Sequence, residues 1–439
     1  MKLGLIAMSG VRVQNPELTA LGLTLPGFVE RSKVIASLPS LALLTLAGLT
    51  PRHIDVRYLE LPDLSESHEL PDGFDAVAIS SYTAQIKDAY RLADRYRMAG
   101  VRVILGGLHV TACPEEAAQH ADAVVLGEAE GLWPQVVTDL ERKQLKQVYD
   151  ARGESFDLAA APMPRFDLLD PARYNRLTVQ TQRGCPFSCE FCAASIRLSP
   201  RFKVKPVEKV IAEIRRIKEI WPNPFIELAD DNSFANRSHA KRLVRAIAQE
   251  GIRWFTETDI SVADDLELLA MLRDSGCSQL LIGLEAPSRR GLDGLETKSN
   301  WKAGRVATNL AAIERIQRQG ITVNGCFILG LDGQDESSFN DVITFVRESG
   351  LYEVQVTLQT PFPGTPLYAR LRDAGRLLEE DAWEACTLFD VTFKPQTMSA
   401  SDLESRFHAL IATLYSDDFR RQRRGAFRRL QSHAPSNIS

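Results

Sequence analysis

With 439 residues, 44% of them hydrophobic, the chain is too long for one ordinary domain and apolar enough to bury two or three cores. A formal charge of −5 and a scattered distribution of lysine and arginine argue against a nucleic-acid footprint, leaving a small molecule or a peptide as the expected substrate. The longest apolar run, Leu38 to Leu49, is broken by Pro39, Ser40 and Thr45 and falls short of a bilayer span, so no membrane association is expected.

The chain opens on a strand, Lys2 to Met8, whose single lysine and short apolar stretch do not make a secretory signal, and a cytoplasmic enzyme is expected. Seven cysteines in that setting argue for thiolate chemistry over a disulfide framework. A helix over Leu38 to Leu49 is followed by strands His53 to Leu59 and Phe74 to Ser80. A helix from Ala84 to Met98 stops at Gly100, strand Val101 to Leu105 leads into Gly106-Gly107, and a short helix after Pro114 precedes strand Ala123 to Leu126. Five strands in this beat predict an α/β, doubly wound Rossmann-like domain over residues 1–150, with its ligand at the strand C-termini. Residues 151–176, with Pro162, Pro164 and Pro171 and no periodicity, read as a linker.

A second βα series follows, with strands Thr178 to Gln182, Phe225 to Ala229, Arg253 to Thr258, Gln279 to Leu284, Thr322 to Leu329 and Glu353 to Leu358. The clearest helix between them is Pro206 to Ile220, striped by Val207, Val210, Ile211, Ile214 and Ile217. Six units fit a partial (β/α)6 barrel over 177–366, whose active site lies at the strand C-termini. Residues 367–439 read as a small helical region, in which Ser401 and Glu404 form a capping box and Arg420 to Arg429 a solvated helix end before a disordered tail.

Gln182-Arg183-Gly184-Cys185-Pro186-Phe187-Ser188-Cys189-Glu190-Phe191-Cys192 puts three thiols at C-x3-C-x2-C just behind a predicted strand. Three thiolates hold three irons of a cubane and leave the fourth open to a ligand. Structural zinc, the alternative, takes four ligands, and His109, His239 and His408 are remote from the motif. The segment resembles the signature of the radical S-adenosylmethionine (SAM) superfamily, with Phe191 where that family carries an aromatic. The resemblance implies a [4Fe-4S] cluster on Cys185, Cys189 and Cys192, SAM chelated at the open iron and cleaved reductively to a 5′-deoxyadenosyl radical, and an external donor such as flavodoxin or ferredoxin. Asp230-Asp231-Asn232 stands where the family holds the SAM amino group, although acidic residues replace its glycines. Gly283-Leu284-Glu285 resembles the family's GxES segment with Ala286 for the serine, and the stretch Gly325 to Gly330 fits the one that packs along adenine.

Pro361-Phe362-Pro363-Gly364-Thr365-Pro366-Leu367-Tyr368 is a rigid turn by composition, and it resembles a segment of cobalamin-binding radical SAM proteins. Gly106-Gly107-Leu108-His109 with Gly127-Glu128-Ala129-Glu130 resembles the cobalamin-binding domain of that subgroup, and Ser80, Ser81 and Thr83 end a neighbouring strand from which they could bond the same ligand. There is no D-x-H-x-x-G segment, so His109 is not assigned to cobalt and the lower face of a bound cobalamin is expected to lack histidine. The remaining cysteines, Cys113, Cys277, Cys326 and Cys386, are expected to be core residues. The leading expectation is a cobalamin-dependent radical SAM methyltransferase. Its rivals are a radical lyase, dehydratase or rearrangement enzyme with a vestigial N-terminal domain, and a cofactor-binding sensor. A methylthiotransferase would need a second set of N-terminal cysteines that the chain lacks.

Overall fold

In a computed structural model the described residues are 1–8, 38–61, 64, 70–193 and 202–432. The N-terminal sheet contains β1 (Lys2–Met8), β2 (Asp55–Glu60), β3 (Ala76–Ser81), β4 (Arg102–Gly106), β5 (Ala123–Leu126) and β6 (Val148–Asp150), all parallel in the order β2-β1-β3-β4-β5-β6. Its inner strands are apolar almost throughout because helices cover both faces. Alternation sends Leu3 and Leu5 into one core with Leu43, Leu46 and Trp133, while Ile6 and Met8 enter another with Leu92, Ala93 and Tyr96. The helix expected from Leu38 begins at Leu41, where the Ser40 hydroxyl accepts from Leu43 N–H at 3.4 Å. Strand β6 escapes sequence reading because it is three residues long and only Tyr149 is buried.

The second sheet is built from β7 (Leu177–Val179), β10 (Phe225–Leu228), β11 (Arg253–Thr258), β12 (Cys277–Glu285), β13 (Thr322–Leu329) and β14 (Glu353–Leu358), each parallel to the next in sequence order. Among the described residues β14 does not pair with β7, so the (β/α)6 barrel is partial. The expected strand Thr178 to Gln182 divides: Gln182–Arg183 (β8) leaves the sheet to pair antiparallel with Lys203–Val204 (β9), which aims the cysteine segment across the barrel mouth. Helix Val207–Ile220 buries Val210, Ile211, Ile214 and Ile217 against this sheet.

Helices Pro366–Asp373, Ala400–Leu414 and Asp417–Ser432 form the C-terminal region. In place of the expected Ser401/Glu404 capping box the N-cap is Ser399, whose Oγ accepts from Asp402 N–H at 3.0 Å and donates to its carboxylate at 2.6 Å. The arginine run is not wholly solvated: Arg423 is 2% exposed, opposite buried Glu353 at 3.9 Å. The tail expected to be disordered, 433–439, lies outside the described residues. No described helix is long and apolar enough to cross a membrane.

Candidate active site

The cysteine segment is fixed by its backbone. Gly184 takes φ +82°, open to glycine without strain, to turn out of β8. Glu190 N–H donates to Leu295 O at 3.0 Å, Thr297 N–H to Ser188 O at 2.9 Å and Leu367 N–H to Glu190 O at 3.1 Å. Arg370 grips the Glu190 carboxylate with two hydrogen bonds of 3.0 and 2.6 Å, and Phe187 stacks on Trp301 at 4.8 Å. Cys185 and Cys189 each lie within electrostatic reach of Cys192. Burial pushes the Cys185 thiol up, against hydrogen bonds from Phe187 N–H and the Asn232 side chain. Burial raises Cys189 to about 12, against the ammonium of Lys302. A cation and N–H donors beside three sulfurs suit a ligand set that binds metal as thiolate, as an iron–sulfur cluster requires.

Lys302 was not legible in the sequence. Its Nζ donates to Gly283 O at 3.0 Å and pairs with the Glu285 carboxylate, with the side chains 12% and 8% exposed. Glu285 stands at φ +62° on a bulge of β12, and a Cβ at Gly283 would lie 2.6 Å from its Oε1, so the Gly-x-Glu pattern makes room for this pair. Glu285 and Phe191 line a barrel cavity of about 270 Å³ whose polar groups include Arg176, Glu227, Glu257 and Asn324. Glu257, also missed in the sequence, has its carboxyl raised to about 8 by burial and by the nearby Glu227. Cys326, expected as core packing, lines the same cavity.

The expectation for Asp230 needs correction, while Asp231 and Asn232 have partners of their own within the chain. Asp230 is buried and accepts from Thr181 N–H (2.7 Å), Thr181 Oγ1 (2.5 Å), Gln182 N–H (3.0 Å) and Ser233 Oγ (2.7 Å), so its carboxylate anchors the start of the cysteine segment and has no capacity left for SAM. Asp231 accepts from Gly184 N–H at 3.1 Å and faces the N-terminal domain's cavity. Asn232 accepts from Thr258 Oγ1 at 3.1 Å and donates to Asp259 at 2.8 Å, besides serving Cys185. Gly325 and Gly330 also have packing reasons: a Cβ on the first would lie 2.7 Å from Leu351 Cδ1, and one on the second, at φ +87°, 3.0 Å from Phe393 and Leu403. Because losing Asp230 strands four donors, Asp230→Ala is expected to destabilise the protein by about 3 kcal/mol. Equilibrium denaturation reads that loss, and an unchanged midpoint would show that the anchor is dispensable.

In the N-terminal domain a cavity of about 330 Å³ lies at the C-terminal ends of β3, β4 and β5. Ser80, Gly106, Gly107, Gly127 and Glu128 line it, Leu46 and Trp133 give it an apolar wall, and Gln180, Arg183 and Asp231 of the barrel complete it. Ser81, Thr83, Leu108 and His109 do not line it. Ser81 fails because alternation along β3 turns it from the face that Ser80 presents. His109 is buried in its own helix beside Glu116 and Trp383. No histidine lines the cavity among the described residues. Glycine edges and an apolar wall suit the flat, bulky cobalamin or its nucleotide tail.

Besides lining this cavity, Glu128 joins the two domains. Arg183, two residues before Cys185, reaches Glu128 at 3.3 Å and Glu130 at 2.7 Å, and Lys203 reaches Glu128 at 2.5 Å. Burial works against ionisation of Glu128, but Lys203, Phe156 N–H and Arg183 together hold its carboxyl below the ordinary value. The two domains are thus clamped, and Asp231 in the N-terminal cavity lies within electrostatic reach of Glu257 in the barrel cavity.

Known proteins bear on this geometry. The B12 binding domain profile matches residues 33–137, the radical SAM superfamily profile residues 179–346, and a domain of unknown function residues 365–436. Bacteriochlorophyllide d C-12(1)-methyltransferase of Chlorobaculum tepidum is 28% identical over 381 residues, covering 85% of this chain and 82% of that protein. Anaerobic magnesium-protoporphyrin IX monomethyl ester cyclase of Cereibacter sphaeroides is 26% identical, covering 81% of this chain and 63% of that protein. The structure of TsrM, a radical S-adenosylmethionine methyltransferase from Kitasatospora setae with cobalamin and a [4Fe-4S] cluster bound, superposes with a TM-score of 0.65 at 14% identity over 99% of each chain, a likeness of fold.

Proposed function

We propose that this chain, which belongs to the cobalamin-binding radical SAM family, is a methyltransferase acting on an unactivated carbon of a small molecule. The observation that carries this reading is that the N-terminal strand-end cavity is completed by Arg183 and Asp231 of the barrel domain, with Asp231 within electrostatic reach of Glu257 in the barrel cavity. When bound, the cluster with SAM supplies radical chemistry and cobalamin supplies the methyl group.

The chain's own share is positioning. Cys185, Cys189 and Cys192 would hold the cluster, with Asn232 and Phe187 N–H orienting Cys185. Glu285 offers a carboxylate to a SAM ammonium from the wall of the barrel cavity. Phe191, Phe255, Leu281 and Phe362 keep that cavity largely apolar, which limits water around a reactive carbon. The Arg183–Glu128–Lys203 clamp keeps the second cavity within reach of the same substrate carbon, where orientation contributes most. A reducing protein of the flavodoxin or ferredoxin type is the partner that fits a cytoplasmic enzyme of this chemistry.

The cyclase among the relatives favours one alternative, a radical ring-forming or lyase reaction without methyl transfer. The two diverge in a single preparation. Anaerobically reconstituted protein should retain about one cobalt per chain after desalting in hydroxocobalamin, with the spectrum of a cobalamin lacking histidine, and on reduction with methyl-labelled SAM it should yield both S-adenosylhomocysteine and 5′-deoxyadenosine. Formation of 5′-deoxyadenosine alone, with no cobalt retained, would remove the methyltransferase reading in favour of the alternative.

A further inference from the structure

A second constellation of metal-ligand side chains lines neither cavity. The segment after Gly107 forms two short helices, Leu108–Ala112 and Pro114–Ala117, joined at Cys113. His109, Cys113 and Glu116 converge across this break, their ligand atoms all lying within 4.8 Å of one another, with His109 Nε2 3.5 Å from Glu116 Oε1. His109 is 1% exposed; its Nδ1 has no hydrogen-bond partner, and its Nε2 has only the Glu116 carboxylate, at 3.5 Å. An imidazole buried with so little polar contact is costly, and a bound cation would occupy one of its nitrogens.

The donor set is selective. Tetrahedral zinc with bonds of 2.0–2.3 Å places its ligand atoms about 3.3–3.8 Å apart, so closure by roughly 1 Å completes the site. One sulfur, one nitrogen and one carboxylate oxygen suit zinc and exclude the all-oxygen preference of magnesium or calcium. A thiolate and a carboxylate together balance a divalent charge, which makes the loaded site neutral where it is buried. The other Glu116 oxygen accepts from Trp383 Nε1 at 3.2 Å, the kind of outer contact that orients a ligating carboxylate, and the Trp383 ring stands edge-on to His109 at 5.1 Å.

We infer that His109, Cys113 and Glu116 bind a zinc ion as a three-ligand site with a water in the open fourth position, and that the ion ties the Trp383 segment of the C-terminal region to the N-terminal domain. The site is separate from the cluster and from cobalamin. The test uses the full chain with Cys185, Cys189 and Cys192 all changed to alanine, so that zinc cannot occupy the cluster site. That protein should hold about one zinc per chain after dialysis, and cobalt(II) should replace it with a thiolate-to-cobalt absorption band. C113S should keep the far-ultraviolet circular dichroism, lose the band and bind zinc at least tenfold more weakly, and E116Q should weaken binding in the same direction. Stoichiometric zinc should also slow proteolysis around Trp383 in the parent and leave C113S unaffected. A parent that retains less than a tenth of an equivalent of zinc, or whose zinc and cobalt band survive C113S, would overturn the site and leave His109 and Glu116 as an ion pair.

Discussion

Alanine at any one of Cys185, Cys189 or Cys192 will abolish iron–sulfur absorbance and 5′-deoxyadenosine formation while the protein remains folded. Each thiolate secures one iron, so two cannot hold the cubane with a defined open corner. The fold should survive because the segment is not held by its sulfurs. Backbone bonds join Ser188 to Thr297, Glu190 to Leu295 and Glu190 to Leu367, and Arg370 clamps the Glu190 side chain. Cys185 and Cys192 are only half-buried, which keeps the cost of truncation small. Iron and sulfide per chain, circular dichroism and the product assay measure the three parts separately. C326A is the matched control: Cys326 lines the barrel cavity but stands on β13, so its loss should spare iron. A triple variant that still produced 5′-deoxyadenosine would end the assignment, and loss of iron in C326A would reveal a missed ligand.

The parts of this site that were legible in the sequence are those whose chemistry is local. The three cysteines declare themselves by spacing, and the barrel strands by apolar runs at a regular interval, because in both cases the determining residues are near neighbours along the chain. Asp230 was misplaced for a physical reason: an acidic residue at a strand end can face a ligand or accept backbone N–H groups, and only the path of Thr181 and Gln182 decides between them. Lys302 and the Arg183–Glu128 clamp were invisible because each joins residues far apart in sequence, 17 in one case and 55 in the other, through turns that leave no periodic trace. Glu128 therefore read only as a ligand contact, and the second job of its carboxylate, joining the domains, left no mark in the sequence. Gly283 did carry a signal of the Lys302 pair, since only a residue without Cβ leaves space for the Glu285 carboxylate, but a glycine before an acidic residue does not say which cation will arrive.

Glu285→Ala will cost both stability and SAM affinity, and the two losses can be separated through Lys302. Removing the carboxylate leaves a buried ammonium facing the cysteine segment, and breaking one side of a buried pair costs about 3–5 kcal/mol. The same carboxylate is a wall of the barrel cavity, where a charge-assisted hydrogen bond to the SAM ammonium contributes roughly 1.5–3 kcal/mol, or about a tenfold to hundredfold in affinity. Glu285→Ala combined with Lys302→Met removes both charges and replaces the lysine with an apolar side chain of similar length, so the stability should return toward the parent's. If Glu285 serves SAM directly, the double variant should still bind SAM at least tenfold more weakly while keeping its iron, because no carboxylate has been restored. If its only role is to neutralise Lys302, SAM affinity should recover with stability. Denaturation midpoints and equilibrium SAM binding on the reconstituted proteins supply both readings, and parent-like SAM affinity in the double variant would place Glu285 outside the SAM site as a positioning partner of Lys302.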